Sequence, residues 1–230
     1  MTPGDSTLQL VEQLTDEGAD HIVLLMRHSA REYAADKHDL LNPLTDEGRD
    51  LAKSLGERLP KSLRLRGYSS PAERCVETAD LIMAGHQQAG GDITRNRVIE
   101  ALGVFYVLDQ MKMFMAMRDA GGIVELLDSW FAGKVANDIL MPSDIAARLI
   151  GRLAEEKLKK APAQPQLDLL VSHDFTLYTI KDRLLGQSTS RYPNVHFLDG
   201  VAFFLRDGQT WVQSHHEDAI ALNVALPEFL

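Results

Sequence analysis

An apolar run over residues 22–26 ends abruptly in a basic cluster. Arg27, His28 and Arg31 follow the run and lie within five residues of one another. A run of this length without alternation is typical of a strand that is buried on both faces of a sheet. Two guanidinium groups and an imidazole at the end of such a strand require an anion to balance their charge. The alternative interpretation is a strand that leads into a solvated loop.

Similar groups follow two other predicted elements. Residues 167–171 predict a second buried strand, which leads into His173 and Asp174. Arg74 lies in the first turn of a predicted helix that begins at Ser70. Because ligands of α/β sheets bind beyond the carboxyl ends of the strands, we expect these side chains to join the basic cluster at one edge of the sheet.

Such a site has the composition of a phosphate pocket. Arginines keep their charge at physiological pH, and together with a helix N-terminus they suit a phosphate dianion. Of two histidines, one can act as a nucleophile while the other donates a hydrogen bond to the phosphoryl oxygens. Metal ligands are not normally packed among arginines, and the histidine spacing of common metal motifs does not occur. We therefore predict no metal site.

Strands and helices alternate along the chain, which predicts an α/β fold with three layers, α/β/α, around a mostly parallel sheet. Helices are predicted over residues 6–17, 45–59, 70–85, 123–131, 175–185 and from 143 onward, and strands over 22–26, 63–69, 98–100, 167–171, 200–205 and 210–214. Thr45 and Ser70 are predicted N-caps, and Glu73 completes a capping box after Ser70. Asp207-Gly208 predicts a hairpin turn between the last two strands.

The whole chain, residues 1–230, is predicted to form one domain with a helical insert at about 104–141. The insert is rich in methionine and aromatic residues, and we expect it to lie over the carboxyl ends of the strands. Methionine side chains suit an adaptable substrate pocket, but a small separate core is the interpretation that we favour.

The composition limits the partners and the compartment. A formal net charge of −9 argues against nucleic acid or an anionic membrane as the main partner. Cys75 is the single cysteine, so an internal disulfide is excluded, and we expect it in the core. The chain has no apolar run of 18 residues and no signal-peptide pattern at its start, which predicts a cytoplasmic protein. Nothing in the sequence indicates an oligomeric state.

Four motifs of the chain resemble those of the histidine phosphatase superfamily. They are Arg27-His28-Ser29-Ala30-Arg31, Asn42-Pro43-Leu44-Thr45 with Gly48, Ser70-Pro71 with Arg74 and Thr78-Ala79, and Ser172-His173-Asp174. They occur in the order of the family and extend over about residues 22–186. The resemblance implies catalysis without a metal or an organic cofactor.

The resemblance also implies a two-step phosphoryl transfer. His28 attacks phosphorus, and water then hydrolyses the phosphohistidine. The phosphoryl oxygens are held by four side chains, Arg27, Arg31, Arg74 and His173. The partner is then a small-molecule phosphate ester.

The chain combines features of two branches of this family. The Asn-Pro-Leu-Thr block is similar to the phosphoglycerate-mutase-like branch, in which the proton donor is a glutamate in the loop where Glu100 lies. The pair of His173 and Asp174 resembles the acid-phosphatase branch, in which the donor is the aspartate. We predict Asp174 as the donor and Glu100 as the alternative. A helix N-terminus and neighbouring arginines favour the ionised form of Asp174, which opposes this role.

The predicted function is hydrolysis of a small phosphorylated metabolite through a phosphohistidine intermediate. A phosphohistidine or phosphoprotein phosphatase and a phosphoglycerate-type mutase are the alternatives within the family. A non-catalytic phosphate-binding protein on the same fold is the alternative from a different class.

Overall fold

A computed structural model of the chain describes residues 2–33 and 41–226. Over these residues the chain forms seven α-helices and seven strands. The helices are α1 (Asp5–Asp16), α2 (Asp46–Arg58), α3 (Glu73–Gln88), α4 (Gln110–Ala120), α5 (Ile123–Phe131), α6 (Ser143–Leu158) and α7 (Asp174–Leu185). The strands are β1 (His21–Arg27), β2 (Arg64–Ser69), β3 (Arg97–Val98), β4 (Gln166–Ser172), β5 (Gly200–Arg206), β6 (Gln209–Ser214) and β7 (Ile220–Ala221). A turn of 3₁₀ helix, Glu100–Leu102, follows β3.

The described strands form one sheet in the order β3-β2-β4-β1-β5-β6-β7. The pairs among β3, β2, β4 and β1 are parallel, whereas the pairs from β1 through β5 and β6 to β7 are antiparallel. The predicted α/β fold is confirmed, but the sheet is mixed rather than mostly parallel. A short turn joins β5 to β6, and such a turn permits only antiparallel pairing.

Two apolar cores lie on opposite faces of the sheet, and together they produce the predicted three layers. Helices α1, α2 and α3 cover one face, and α5, α6 and α7 cover the other. Because successive strand residues point to opposite faces, β1 contributes Leu24 and Met26 to one core and Val23 and Leu25 to the other. This double burial explains the continuous apolar run in the sequence.

Local sequence signals determine several element ends. The side chain of Thr45 accepts a hydrogen bond from the backbone N–H of Gly48, as expected for the N-cap of α2. Asp207 and Gly208 have φ angles of 52° and 76°, which a tight hairpin turn requires at both central positions. Both predictions are confirmed.

The predicted insert contains α4 and α5. Leu126, Leu127 and Trp130 of α5 belong to the main core on their face of the sheet, so the separate core that we expected is wrong. Helix α4 has no buried residue, and Met111 and Phe114 remain exposed on its surface.

No helix within residues 2–33 and 41–226 combines the length and the apolar character that crossing a bilayer requires.

Candidate active site

Three parallel strands end side by side at the edge of the sheet that carries the site. In the register of the sheet, Arg27 pairs with Ser172, and Ser69 pairs with Val171. The residues that follow these strand ends continue the pairing, because the backbone N–H of His28 donates to the carbonyl of Ser172 at 3.0 Å. The sheet therefore brings together the histidines that are far apart in sequence.

His28 is buried, with 2% of its surface exposed, and its ring is held in one tautomer. Nδ1 lies 2.8 Å from the carbonyl oxygen of Ser29, and because a carbonyl only accepts, Nδ1 carries the proton. The guanidinium of Arg74 donates from Nε to Nε2 of His28 at 3.0 Å, so Nε2 is an acceptor. Nε2 is thus the unprotonated ring nitrogen, and its lone pair points at an arginine.

Burial lowers the pKa of His28 well below its ordinary value, and the charges of Arg74, His173 and Arg27 lower it further. The hydrogen bond to the Ser29 carbonyl opposes this shift by favouring the protonated ring. The neutral form of His28 therefore persists to a lower pH than that of an exposed histidine.

We expect this neutral form to be visible in the free protein. In ¹⁵N NMR spectra of histidine-labelled protein, the His28 ring should remain the neutral Nδ1–H tautomer as the pH falls through about 6.5, the ordinary histidine pKa. Protonation of His28 near that pH would contradict the assigned environment.

Arg74 connects the two histidines. It is almost fully buried, and its Nη2 lies 3.4 Å from Nδ1 of His173. The rings of His28 and His173 are 5.7 Å apart between centroids and meet edge to face. Three cationic or hydrogen-bonding groups therefore converge on one point, as the sequence predicts.

Ser70 does not have the N-cap role that the sequence predicts. Helix α3 begins at Glu73 with Ala72 as N-cap and no side-chain cap, so the predicted capping box is wrong. Instead, Ser70 Oγ lies 3.0 Å from Nε2 of His173. Its hydroxyl is engaged by a histidine from another strand end, which local sequence rules do not include. Ser70 is thus a site residue that the sequence analysis missed, although it lies inside a recognised motif.

Residues of α2 and α3 contact the loop after β1. Ser29 donates from Oγ to the carbonyl of Gly48 at 2.7 Å, and its backbone N–H donates to Oγ1 of Thr78 at 3.1 Å. A Cβ at Gly48 would lie 2.0 Å from the carbonyl oxygen of Ala30, so only glycine allows this approach. Gly48 and Thr78 therefore hold the loop that follows His28 in place.

Cys75 lies in the core on the same side of the sheet as α3, as expected. Its Sγ is 3.8 Å from Nε2 of His173, but burial raises the pKa of its thiol to about 12. Cys75 is therefore a packed thiol and not a competing nucleophile.

Arg27 has three contacts around its guanidinium. Nη1 donates to the carbonyl of Val195 at 2.6 Å, and Nη2 forms an ion pair with Asp174 at 2.9 Å. The guanidinium also lies 4.2 Å from the ring centroid of Phe197. Val195 and Phe197 were not among the predicted site residues. Among the described residues, the buried Nε of Arg27 has no hydrogen-bond partner.

A family model for the histidine phosphatase superfamily (branch 1) matches residues 23–212, a range that contains all four motifs. The chain belongs to the histidine phosphatase superfamily. A search of curated protein sequences found no match.

Solved structures support the same fold. YhfR of Bacillus stearothermophilus is 16% identical with a TM-score of 0.56, covering 84% of this chain and 96% of its own. A phosphoglycerate mutase of Bacillus anthracis is 18% identical with a TM-score of 0.52, covering 84% and 91%. A mutant phosphoserine phosphatase of Entamoeba histolytica in complex with phosphoserine is 17% identical with a TM-score of 0.51, covering 84% and 95%. At these identities the likeness shows the superfamily fold alone.

Arg31 and Glu100, two further predicted site residues, follow β1 and β3, which belong to the parallel part of the sheet. Arg31 is half-buried, and its guanidinium lies 4.2 Å from the ring centroid of Tyr33. Glu100 is exposed and begins the 3₁₀ turn after β3. Ser172 Oγ donates to the carbonyl of Leu102 at 2.7 Å, which fixes this turn to the end of β4.

The described residues contain no group of three or more His, Cys, Asp or Glu side chains arranged to hold a metal ion. Catalysis without a metal stays a prediction.

Proposed function

We propose that this protein is a phosphomonoester hydrolase that acts on a small phosphorylated metabolite through a phosphohistidine at His28. The observation that supports this most is the state of the His28 ring. Its proton is held on Nδ1 by the Ser29 carbonyl, and its Nε2 lone pair accepts a hydrogen bond from Nε of Arg74, which a bound phosphoryl oxygen would accept in its place. A neutral imidazole beside a guanidinium is suited to attack a phosphoryl group that the guanidinium also binds.

The positive groups of the site would hold the three equatorial oxygens of the phosphoryl group. Arg74 bridges the two histidines, and Arg27 directly precedes His28 at the end of β1. We assign phosphate binding to these two arginines, to Arg31 and to His173. Because the guanidinium charges are fixed before the substrate arrives, they stabilise the transition state without reorganisation.

The reaction has two steps. In the first, Nε2 of His28 forms a bond to phosphorus, the ester P–O bond breaks, and the leaving oxygen takes a proton from a carboxylic acid. In the second, water attacks phosphorus and gives a proton to the resulting carboxylate, and the N–P bond breaks. The products are an alcohol and inorganic phosphate.

We assign the proton donor to Glu100 rather than to Asp174, which the sequence favours. Both carboxyl oxygens of Asp174 already accept hydrogen bonds, from Nη2 of Arg27 at 2.9 Å and from the backbone N–H of Phe175 at 2.8 Å, whereas a general acid must donate one. Glu100 begins a turn that is fixed to the end of β4, and its side chain is exposed. Glu100 also lies in the loop that supplies the donor in the mutase-like branch that the chain resembles.

The test is hydrolysis of p-nitrophenyl phosphate by the purified protein after exhaustive chelation. We expect release of inorganic phosphate at an unchanged rate, because arginines rather than a metal supply the positive charge. A screen of phosphorylated metabolites then identifies the preferred ester.

Three results would contradict the proposal. Absence of turnover with every ester would favour the non-catalytic phosphate-binding protein. Activity that is lost with chelator and restored by a divalent ion would require a metal. Isomerisation of phosphoglycerate without phosphate release would favour the mutase.

A further inference from the structure

We propose that Asp174 is a positioning residue that holds Arg27 in its phosphate-binding orientation. This inference rests on the proposed function only in taking Arg27 as a phosphate ligand. It assigns to Asp174 a role other than proton transfer, and it makes α7 the element that orients Arg27.

Both oxygens of Asp174 are engaged. Oδ2 forms the ion pair with Nη2 of Arg27 at 2.9 Å, and Oδ1 accepts the backbone N–H of Phe175 at 2.8 Å. The guanidinium and the N–H at the start of the helix are both donors, and each is satisfied by a different oxygen of Asp174. The carboxylate is therefore oriented by one hydrogen bond and directs the arginine with the other.

The ion pair with Asp174 is important for Arg27 because, among the described residues, the only other polar contact of its guanidinium is the Val195 carbonyl. It is buried at the end of β1, and its side chain is long and flexible. Loss of one partner of a buried ion pair leaves an uncompensated charge. The side chain that carries this charge then turns toward any acceptor that remains. The ring of Phe197 limits movement out of the guanidinium plane, but a ring does not determine the direction of the N–H groups.

Helix α7 supplies the second acceptor of Arg27 indirectly. Tyr178 lies one turn after Asp174, and its hydroxyl accepts the backbone N–H of Val195 at 3.2 Å and donates to the carbonyl of Pro193 at 2.8 Å. The carbonyl of Val195 in turn accepts from Nη1 of Arg27. One face of α7 thus fixes both acceptors of the same guanidinium.

A double-mutant cycle tests this role. We expect Asp174→Asn to lower kcat/KM by about tenfold, since a neutral acceptor replaces a charged one. The loss should be equal for p-nitrophenyl phosphate and for an alkyl phosphate, because no proton transfer is affected. In an Arg27→Gln background, the same substitution should cause almost no further loss, since its effect acts through Arg27.

The same cycle is measured on the binding of inorganic phosphate by calorimetry, which requires no turnover. If the protein hydrolyses no ester but the binding losses are non-additive, the proposed function fails and the positioning role stands. Independent losses in the double variant would overturn the positioning role. A loss that is much larger on the alkyl ester would return Asp174 to the role of proton donor.

A second variant covers the case in which Asp174→Asn does not fold. Tyr178→Phe removes only the hydroxyl that holds Val195. It should weaken the binding of inorganic phosphate and lower kcat/KM equally for the two esters. Tyr192→Phe is the matched control, because the Tyr192 hydroxyl donates to Glu217 and not to the segment that contacts Arg27. Equal phosphate affinity in Tyr178→Phe and wild type would contradict the role of α7.

Discussion

His28→Ala should lower phosphatase activity by about 10⁴-fold or more, the scale seen when a covalent nucleophile is removed. The wild-type protein, quenched without acid after mixing with a labelled ester, should carry an acid-labile and alkali-stable adduct on His28. The reason is that Nε2 of His28 is unprotonated and faces Arg74 in the free protein. Adduct mapping by mass spectrometry identifies the modified ring.

His215→Ala is the matched control, because His215 is an exposed histidine in the turn after β6 and has no described contact with Arg27. It should retain activity and the adduct. Full activity in His28→Ala, or an adduct on another residue, would reject the nucleophile assignment.

Glu100→Gln should lower kcat/KM for an alkyl phosphate by about 10²- to 10⁴-fold, the range typical of general acid catalysis. Its effect on kcat/KM for p-nitrophenyl phosphate should be small, because nitrophenolate leaves without a proton. Glutamine keeps the size of the exposed side chain and removes only the acid. The measurement is the ratio of kcat/KM for the two esters in each variant, because kcat also includes hydrolysis of the phosphohistidine, a step that is the same for both esters.

Asp174→Asn provides the comparison, since its loss should be the same on both esters. If instead Asp174→Asn selectively lost the alkyl ester and Glu100→Gln did not, the sequence-based assignment of the donor would be correct. The protein would then resemble the acid-phosphatase branch in mechanism.

The site could be located from sequence because its strands are buried on both faces. A continuous apolar run such as residues 22–26 has few alternatives to a central strand, and its end marks the edge where ligands bind. Arg74 could be added because it lies in the first turn after a strand end. His173 followed from a second run of the same kind.

The hydrogen-bond partners of the site residues were harder to predict from the sequence, because each partner comes from another element. Ser70 has the local signals of an N-cap, yet its hydroxyl faces His173. That contact exists only because β2 and β4 pair in one register. Local propensity describes neighbours in sequence, and it was overridden here by a neighbour in space.

Tertiary contacts also determine the position of Phe197, whose ring packs against Arg27. The next residue, Leu198, is buried with a φ of 61°, a conformation that leucine rarely adopts. Its carbonyl accepts a hydrogen bond from Thr7 Oγ1 at 2.6 Å. No sequence pattern predicts a left-handed leucine, because the surrounding tertiary contacts maintain it.

The sequence by itself determined the α/β class, the central strands and the groups that carry the chemistry, since the order of apolar and charged residues within a short segment indicates each of them. Tertiary structure alone decided which carboxylate lies against which arginine. The ion pair of Arg27 and Asp174 joins residues that are separated by most of the chain, and it depends on how β1 and β4 align. Such contacts depend on residues that meet only in the folded chain, so no local pattern in the sequence indicates which carboxyl oxygens already accept hydrogen bonds.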